Sequence, residues 1–402
     1  RYQQCPFKFY AQYGLKLEPR PVRSFGAPEI GTFLHANLER LGNYLLENNK
    51  QWRDLDEEEQ ENLCRTVADE ILQENQMGEE TSDAYQKAIE QRVQRTLHVT
   101  VDRLVEWSKR SDFDTKYLEQ DFGRQGGWDP IRVPFGEDRY LRLIGQIDRI
   151  DEYTRDGQTY GMVIDYKSGG AHVTAQDVYY GLKLQLMTYL LALESAYGKT
   201  HGGSMSPAAV VYSYVKNPKI SADAPISYED AVSLANESDA WQNSGYFSDD
   251  IELLTHIDNK FLSYGSKRGP YVPIATKKDQ TISSRDLRKV KSTGEFDVMC
   301  HYTNHVMAET GRHIGDGQFP IKPYQLNGLR PCTYCDYRTV CRFDSSRNRY
   351  NYLSRLSEDD ALERMKEVLS DGNNSNDRNN RNEKNNSNEG NNSSEGGENH
   401  GC

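Results

Sequence analysis

Four cysteines near the two ends of the chain constrain its fold more than any other feature. Cys5 lies in the first few residues, whereas Cys332, Cys335 and Cys341 form a C-x2-C-x5-C pattern near the end. Three thiols at this spacing can chelate one site from a short loop, and a soft four-thiolate site requires a fourth. The pattern therefore predicts a fold in which Cys5 returns to the three late cysteines and joins the two ends.

Composition excludes some classes of protein. The chain has 402 residues, a net charge of −12 and seven cysteines. An acidic chain is not a general nucleic-acid-coating protein, although an enzyme with metal-binding carboxylates fits. An odd cysteine count with tight spacing indicates a metal site in a reducing compartment, and we expect Cys64, Cys300 and Cys402 to be buried or free thiols.

The ends of the chain carry two further expectations. The chain begins at Arg1 rather than at a methionine. We therefore expect it to be an excised part of a longer protein. No run of about 18 apolar residues is present, so we expect no membrane span.

A carboxylate–lysine pattern lies in the middle of the chain. Strands are predicted over Tyr140–Tyr153 and Thr159–Lys167, joined by a turn that contains Asp-Gly. Alternation places Asp165 and Lys167 on one face of the second strand, and Asp148 lies on the first. Two carboxylates can then meet at one divalent cation with a lysine beside it, which suits phosphodiester hydrolysis. The alternative is a surface hairpin with incidental charges.

Three helical residues are further candidates. His35 lies on a helix predicted from Glu29 to about Asn48, and Gln185 and Tyr189 share a helix face at i, i+4. A lone helical histidine is more often structural than a ligand. The Gln–Tyr pair is equally consistent with ordinary helix packing.

The remaining pattern predicts the organisation of the chain. Strands are expected to begin near Phe122, a helix to run from a Thr174–Asp177 capping box to Tyr197 and stop at Gly198, and a strand to cover Ala208–Val215. The basic run Arg285, Arg288, Lys289 and Lys291 is interpreted as a solvated face or, alternatively, as a DNA-facing strip. Gly198-Lys199-Thr200 lacks the earlier glycine of a phosphate-binding loop, so we expect no ATP site in this chain. The predicted segments are 1–27 with Cys5, 28–53 with His35, a helical insertion at 54–121, a core at 122–330, the cysteine segment at 331–345, a C-terminal helix at 346–370 and a disordered tail at 371–402.

The order of these features resembles the RecB-type nucleases of the PD-(D/E)xK superfamily. Their pattern is a helical histidine, an Asp in G-x-x-D-R-x-D, then D-x-K, then Q-x-x-x-Y. Here the matching residues are His35, Asp148, Asp165 with Lys167, and Gln185 with Tyr189. Cys5-Pro6-Phe7 and the terminal cysteines resemble the iron–sulfur branch, in particular the nuclease domains of the B subunits of bacterial AddAB-type helicase–nucleases.

The resemblance implies a fold, cofactors and partners. It implies an α/β, restriction-endonuclease-like fold with a mixed central sheet flanked by helices, a helical insertion and an iron–sulfur clasp. It also implies Mg²⁺ on His35, Asp148, Asp165 and the carbonyl of Tyr166, with Lys167, Gln185 and Tyr189 as further catalytic residues. A [4Fe–4S] cluster on Cys5, Cys332, Cys335 and Cys341 is implied, and four thiolates would equally hold Zn²⁺.

The implied function is a DNA exonuclease of the bacterial cytoplasm. It would act with a helicase–nuclease A subunit in double-strand-break repair by homologous recombination. The alternatives are a free-standing or CRISPR-associated nuclease of the same branch and a non-catalytic DNA-holding module.

Overall fold

The structure is a computed structural model of the 402-residue chain. It describes residues 1–18, 27–74, 83–201, 203–216, 224–227, 230, 234 and 241–371. The expected helix break near residues 77–78, the tail beyond residue 371 and Cys402 lie outside these ranges.

A mixed six-stranded sheet forms the centre of the described chain. Its strand order is β1-β4-β5-β6-β7-β8. Strands β5 and β6 are parallel, as are β7 and β8, and the other neighbouring pairs are antiparallel. The strands are β1 Asp114–Phe122, β4 Gly145–Arg155, β5 Gln158–Lys167, β6 Met205–Tyr214, β7 Ser244–Ser248 and β8 Val290–Lys291. A separate hairpin pairs β2 Ile131–Pro134 with β3 Tyr140–Leu143, and β9 Tyr324–Gln325 pairs with β10 Asn351–Tyr352.

Helices cover both faces of the sheet, because residues alternate between two apolar clusters along the strands. Met162, Ile164 and Tyr166 of β5 belong to one cluster, whereas Val163 belongs to the other. The helices are α1 Pro6–Phe9, α2 Ala27–Glu47, α3 Glu57–Glu74, α4 Asp83–Arg110, α5 Ala175–Tyr179, α6 Gln185–His201, α7 Ile251–Ile257, α8 Thr293–Gly315, α9 Arg338–Cys341 and α10, residues 358–371. Helices α2, α3 and α4 contribute to the first cluster, and α5, α6 and α8 contribute to the second. The predicted α/β class, with a mixed sheet between helices, is confirmed.

The start of the sheet differs from the sequence-based prediction. Strand β1 begins at Asp114, so the expectation that strands begin near Phe122 was wrong. The helices of the predicted insertion, α3 and α4, end at Arg110, and the remainder of residues 54–121 includes a strand of the sheet. Strand β1 escaped notice because its residues are mostly half-buried and charged, so they show no apolar alternation.

Three other element boundaries also differ. The helix expected from Thr174 to Tyr197 is two helices, because Gly181 has φ +65° between α5 and α6. Gly198 lies inside α6 rather than at its end. The strand expected over Tyr140–Tyr153 is divided between β3 and β4, and the C-terminal helix begins at residue 358 rather than 346.

The N-terminal and C-terminal segments meet. The backbone N–H of Tyr324 donates to the carbonyl of Gln4 at 3.0 Å, and the Tyr337 hydroxyl donates to the carbonyl of Leu17 at 2.9 Å. Phe319 stacks on Tyr10 with ring centroids 4.6 Å apart. Protein contacts alone therefore bring Cys5 toward the C-terminal cysteine segment. Within the described chain, no helix has the length and apolar character needed to cross a membrane.

Candidate functional site

The β4–β5 hairpin brings two aspartates together. Asp156 (φ +52°) and Gly157 (φ +80°) form its turn, as the Asp-Gly dipeptide predicted. Arg149 of β4 pairs with Ile164 of β5, so Asp148 and Asp165, one residue further along each strand, lie side by side. The predicted Asp-hairpin-Asp-x-Lys arrangement is therefore present at the end of the hairpin away from its turn.

Asp148 is held by the backbone of the neighbouring strand. The backbone N–H of Tyr166 donates to Asp148 Oδ2 at 2.6 Å. Burial raises the pKa of Asp148 to about 6, and the charge of Glu119 also raises it, whereas His35 opposes the shift. The fixed carboxylate thus carries an electrostatic cost that a bound cation would relieve.

Asp165 is the most deeply buried carboxylate of the site. Its side chain is 1% exposed, and its Oδ2 forms an ion pair with the Lys167 ammonium. Its Oδ1 is buried and has no hydrogen-bond partner in the described part of the chain. Burial, with the charge of Asp148 second, raises the pKa of Asp165 to about 7. A buried oxygen without a donor is a suitable ligand for a cation.

The Lys167 ammonium lies between a carboxylate and an aromatic ring. It stands 5.5 Å from the ring centroid of Tyr212 on β6. This cation–π contact restrains the ammonium beside Asp165. Sequence reasoning missed Tyr212, because only the pairing of β5 with β6 brings Asp165 opposite Tyr212.

His35 reaches the site from helix α2. Its Nε2 lies 3.0 Å from the carbonyl oxygen of Tyr166, and its Nδ1 lies 3.5 Å from Asp148 Oδ2. Burial alone lowers the pKa of the imidazole, but the Glu119 and Asp148 carboxylates outweigh burial and raise it. The structure thus brings His35 and the Tyr166 carbonyl to the two aspartates, as the resemblance implied.

Glu119 of β1 is an additional acidic residue that sequence reasoning missed. Its Oε1 lies 3.6 Å from His35 Nδ1. One ligand atom from each of Glu119, His35 and Asp148 fits within 4.8 Å of the other two. Glu119 has φ +43°, which is unusual for a residue of this type in a strand. The one available signal was an acidic residue in a segment whose high charge and spacing predict helices.

Gln185 and Tyr189 lie together on α6, near the aspartates. The Gln185 amide donates to the Tyr189 hydroxyl at 2.8 Å. Burial raises the pKa of Tyr189, and the charges of Asp165, Asp148 and Glu119 raise it further, so its hydroxyl lies within electrostatic reach of all three carboxylates. In this structure the two side chains bond to each other rather than to Lys167.

The four predicted cysteines surround one small cavity. Cys5, Cys332, Cys335 and Cys341 line it together with apolar side chains such as Phe7 and Ile321. Burial raises the pKa of Cys332, and the charges of the other three thiols add to the rise. The backbone N–H groups of Lys8, Phe7 and Lys322 donate to the sulfur of Cys5 and oppose the rise that burial produces in its pKa. Cys64 and Cys300 are buried elsewhere, as expected for structural thiols.

The basic run is largely used within the fold. Lys291 is 2% exposed and donates to the carbonyl of Arg288 at 2.8 Å, whereas Lys289 donates to the carbonyl of Pro273 at 2.6 Å. Interpreting the whole run as a solvated face was therefore wrong for Lys291. Gly198-Lys199-Thr200 is helical, and Lys199 pairs with Asp129 at 2.7 Å.

Comparisons with known proteins agree with this geometry. The model of a family described as the PD-(D/E)XK nuclease superfamily matches residues 1–342. The chain is similar to the B subunit of the ATP-dependent helicase/deoxyribonuclease of Ruminiclostridium cellulolyticum, with 30% identity over 92% of this chain and 31% of the relative. Its similarity to the protein of the same name from Bacillus cereus is 31% identity over 91% of this chain and 31% of the relative. The chain thus spans about a third of the length of these relatives.

The family match and the site geometry point to the same residues. The hairpin with Asp148, Asp165 and Lys167 lies within the matched region, as do His35 and the four clustered cysteines. The chain therefore belongs to the PD-(D/E)XK nuclease superfamily.

Proposed function

We propose that this chain is the Mg²⁺-dependent DNA nuclease domain of the B subunit of a bacterial helicase–nuclease. The observation that carries the proposal is the meeting of Asp148, Asp165, His35 and the Tyr166 carbonyl beside Lys167. The similarity to helicase/deoxyribonuclease subunits supports DNA as the substrate, exonuclease action and an A subunit as the partner, in break repair by recombination in the cytoplasm.

The donor set fits a divalent cation. Asp165 Oδ1 is buried without a donor, and two buried carboxylates with raised pKa values adjoin each other. The 3.0 Å between His35 Nε2 and the Tyr166 oxygen matches the separation of roughly 3 Å between neighbouring ligands on an octahedral ion with bonds of about 2.1 Å. Asp148, Asp165, His35 and the Tyr166 carbonyl would hold the ion, with Glu119 adjoining them.

The protein residues prepare the hydrolysis. A divalent cation bound here supplies charge neutralisation at the phosphate and a water molecule of lowered pKa. The Lys167 ammonium, restrained by Asp165 and the Tyr212 ring, orients the attacking water and stabilises the charge that develops on the phosphate oxygens. Gln185 and Tyr189 bond to each other and present the amide oxygen and the hydroxyl to Lys167 or to the scissile phosphate.

The cysteine cavity supports a [4Fe–4S] cluster as the second cofactor. Four thiols from the two ends of the matched region line it, and three backbone N–H groups already point at the sulfur of Cys5. Such N–H donors accompany iron–sulfur clusters and tune their potentials. Zn²⁺ is the alternative occupant, and the metal content of anaerobically purified protein distinguishes the two.

The test of the proposed function is cleavage of a single-stranded oligonucleotide in Mg²⁺. Asp165→Ala and Lys167→Ala should each lower the rate by at least about 100-fold with unchanged oligonucleotide affinity, because each removes charge stabilisation of the transition state. Glu252→Ala, which removes an exposed carboxylate on α7, is the matched control and should keep the parental rate. An Asp165→Ala rate within about tenfold of the parent would sink the assignment.

A further inference from the structure

The β2–β3 hairpin has one packed face and one outward face. Val133 is buried, and Ile131 and Leu143 pack against the cluster beneath α8. The residues that alternate with them point away from this contact and are exposed: Arg132 and Pro134 on β2, and Tyr140 and Arg142 on β3. The hairpin therefore presents a second face that the described part of the chain does not use as core.

Charge on the outward face is concentrated in an unfavourable way. Arg132 pairs directly with Arg142 across the two strands. Like charges at directly opposite positions destabilise a hairpin. Asp129, whose charge acts on Arg132, forms its own ion pair with Lys199 at 2.7 Å. An external anion would relieve the repulsion between the two arginines.

Exposed apolar surface accompanies the arginines. Tyr140 is 48% exposed and the following Ile144 is 56% exposed. The Arg132 guanidinium lies 5.1 Å from the centroid of the Tyr140 ring, which leaves the opposite ring face available for stacking. Arginines beside an exposed aromatic ring are the features with which proteins bind single-stranded nucleic acid.

The outward face leads directly into the candidate active site. Strand β3 ends at Leu143, β4 begins at Gly145, and Asp148 follows three residues later. Ile144 is therefore at most about 14 Å from Asp148 along the chain. A Cβ on Gly145 would lie 2.5 Å from the Phe122 ring, and that ring also packs against Tyr189. The hairpin is thus anchored tightly at the edge of the site.

We propose that the outward face of the β2–β3 hairpin binds the single-stranded DNA segment adjoining the scissile phosphate. Tyr140 stacks on a base, and Arg132 and Arg142 contact successive phosphates. The proposal rests on the proposed function, because it takes DNA as the substrate. It adds a surface that positions the strand before it reaches Asp148 and Asp165.

The test measures binding of a fluorescent oligothymidylate by anisotropy in EDTA at several salt concentrations. Arg132→Gln should weaken binding and lower the slope of log affinity against log salt by about 0.7, the value for one lost phosphate contact on a single strand. Tyr140→Leu should weaken binding by about 5- to 100-fold without changing the slope, because stacking involves no counterions. Arg142→Gln is a less clean variant, since Arg142 also donates to the Gly123 carbonyl at 2.6 Å.

Two controls separate the hairpin from the rest of the site. Arg65→Gln removes an exposed arginine on α3 and should leave both affinity and slope unchanged. Hydrolysis of bis(p-nitrophenyl) phosphate, a diester too small to reach the hairpin, should be unchanged in Arg132→Gln, Tyr140→Leu and Arg65→Gln. Loss of that hydrolysis in Arg132→Gln would assign the effect to distortion of the site and overturn the proposal.

The remaining outcomes also decide the matter. Parental affinity and slope in Arg132→Gln and Tyr140→Leu, with hydrolysis still abolished in Asp165→Ala, would overturn the hairpin proposal alone. A parent protein without salt-dependent oligonucleotide binding would overturn both this proposal and the proposed function.

Discussion

Glu119 shows how much one residue can add to a site predicted from motifs. It comes from an edge strand, has a positive φ and lies 3.6 Å from the Nδ1 of His35, whose Nε2 faces the Tyr166 carbonyl. Metal-binding histidines commonly donate their second ring N–H to a carboxylate, which fixes the ring orientation. We therefore interpret Glu119 as the carboxylate that positions His35.

Glu119→Gln should weaken Mn²⁺ binding by about 10- to 100-fold, because the histidine loses its charged partner. Titration calorimetry on the chelator-treated protein measures this affinity without any cleavage. Asp121→Asn alters an acid on the same strand that pairs with exposed Arg124, and it should bind Mn²⁺ like the parent. Equal Mn²⁺ affinities in Glu119→Gln and the parent would remove Glu119 from the site.

The raised pKa of Asp165 makes the metal-free protein sensitive to pH. Its folded pKa is about 7 against an ordinary value of 3.8. The contribution to stability is therefore fully present below about pH 4 and is lost as pH rises to about 7. Asp148 and His35 also have raised pKa values, so they act in the same direction.

In EDTA, the free energy of unfolding should fall between pH 4 and pH 7, with Asp165 contributing on the order of 2–4 kcal/mol. Urea denaturation at a series of pH values measures the change. Asp165→Asn should flatten the profile, because an amide does not titrate, and Glu252→Gln should leave it as in the parent. A parental profile in Asp165→Asn would show that this carboxyl is not the buried acid.

At the scale of elements, a buried ion pair joins the helical layer to the catalytic strands. The Arg149 guanidinium donates two hydrogen bonds to the Asp151 carboxylate, at 2.7 and 2.6 Å, and both side chains are almost fully buried. The rings of Trp52 and Trp107 lie 6.0 and 5.6 Å from the guanidinium. In G-x-x-D-R-x-D, Asp148 thus serves the site, while Arg149 and Asp151 hold the opposite face of β4 against the helices.

Arg149→Met should destabilise the fold by about 3–5 kcal/mol, because it leaves Asp151 charged, buried and unpaired. The double variant Arg149→Met/Asp151→Leu should recover much of that loss, since no isolated charge remains. Chemical denaturation of both variants measures the difference. If the double variant is no more stable than Arg149→Met, the cost lies in packing against the tryptophans rather than in the unpaired charge.

At the scale of the whole molecule, the two ends of the family domain close on each other. Cys5 and Cys332 line one cavity although more than 300 positions separate them. Closing so long a loop is entropically costly, and the cluster would offset that cost. The aromatic contacts of Phe319 and the Tyr337 hydrogen bond share this role, so the ends do not depend on the cysteines alone.

Cys335→Ala should lose iron and the broad absorbance near ~400 nm that cysteine-bound clusters show. It should lower Tm by about 5–10 °C, because the tie between the ends is weakened, and it should also weaken DNA binding. Asp336→Ala, on the same loop, is the matched control and should retain iron. Stoichiometric zinc in the anaerobically purified parent would replace the cluster with a zinc site, and an unchanged Tm in Cys335→Ala would remove its structural role.

The local patterns were readable from sequence because their chemistry repeats over a few residues. Strand alternation and an Asp-Gly turn located the β4–β5 hairpin and placed Asp165 beside Lys167, and cysteine spacing selected four thiols that line one cavity. Each of these features depends on neighbours in sequence or on a residue type with few uses.

Only the tertiary structure decided which distant residues complete the site. Glu119 and Tyr212 contact His35 and Lys167 because β1 and β6 flank the hairpin, and nothing local to either residue indicates that pairing. The break at Gly181 and the start of β1 were likewise set by packing against the sheet rather than by local preference. Contacts between elements depend on the path of the whole chain, so the sequence identified the chemistry of the site and the fold assembled its surroundings.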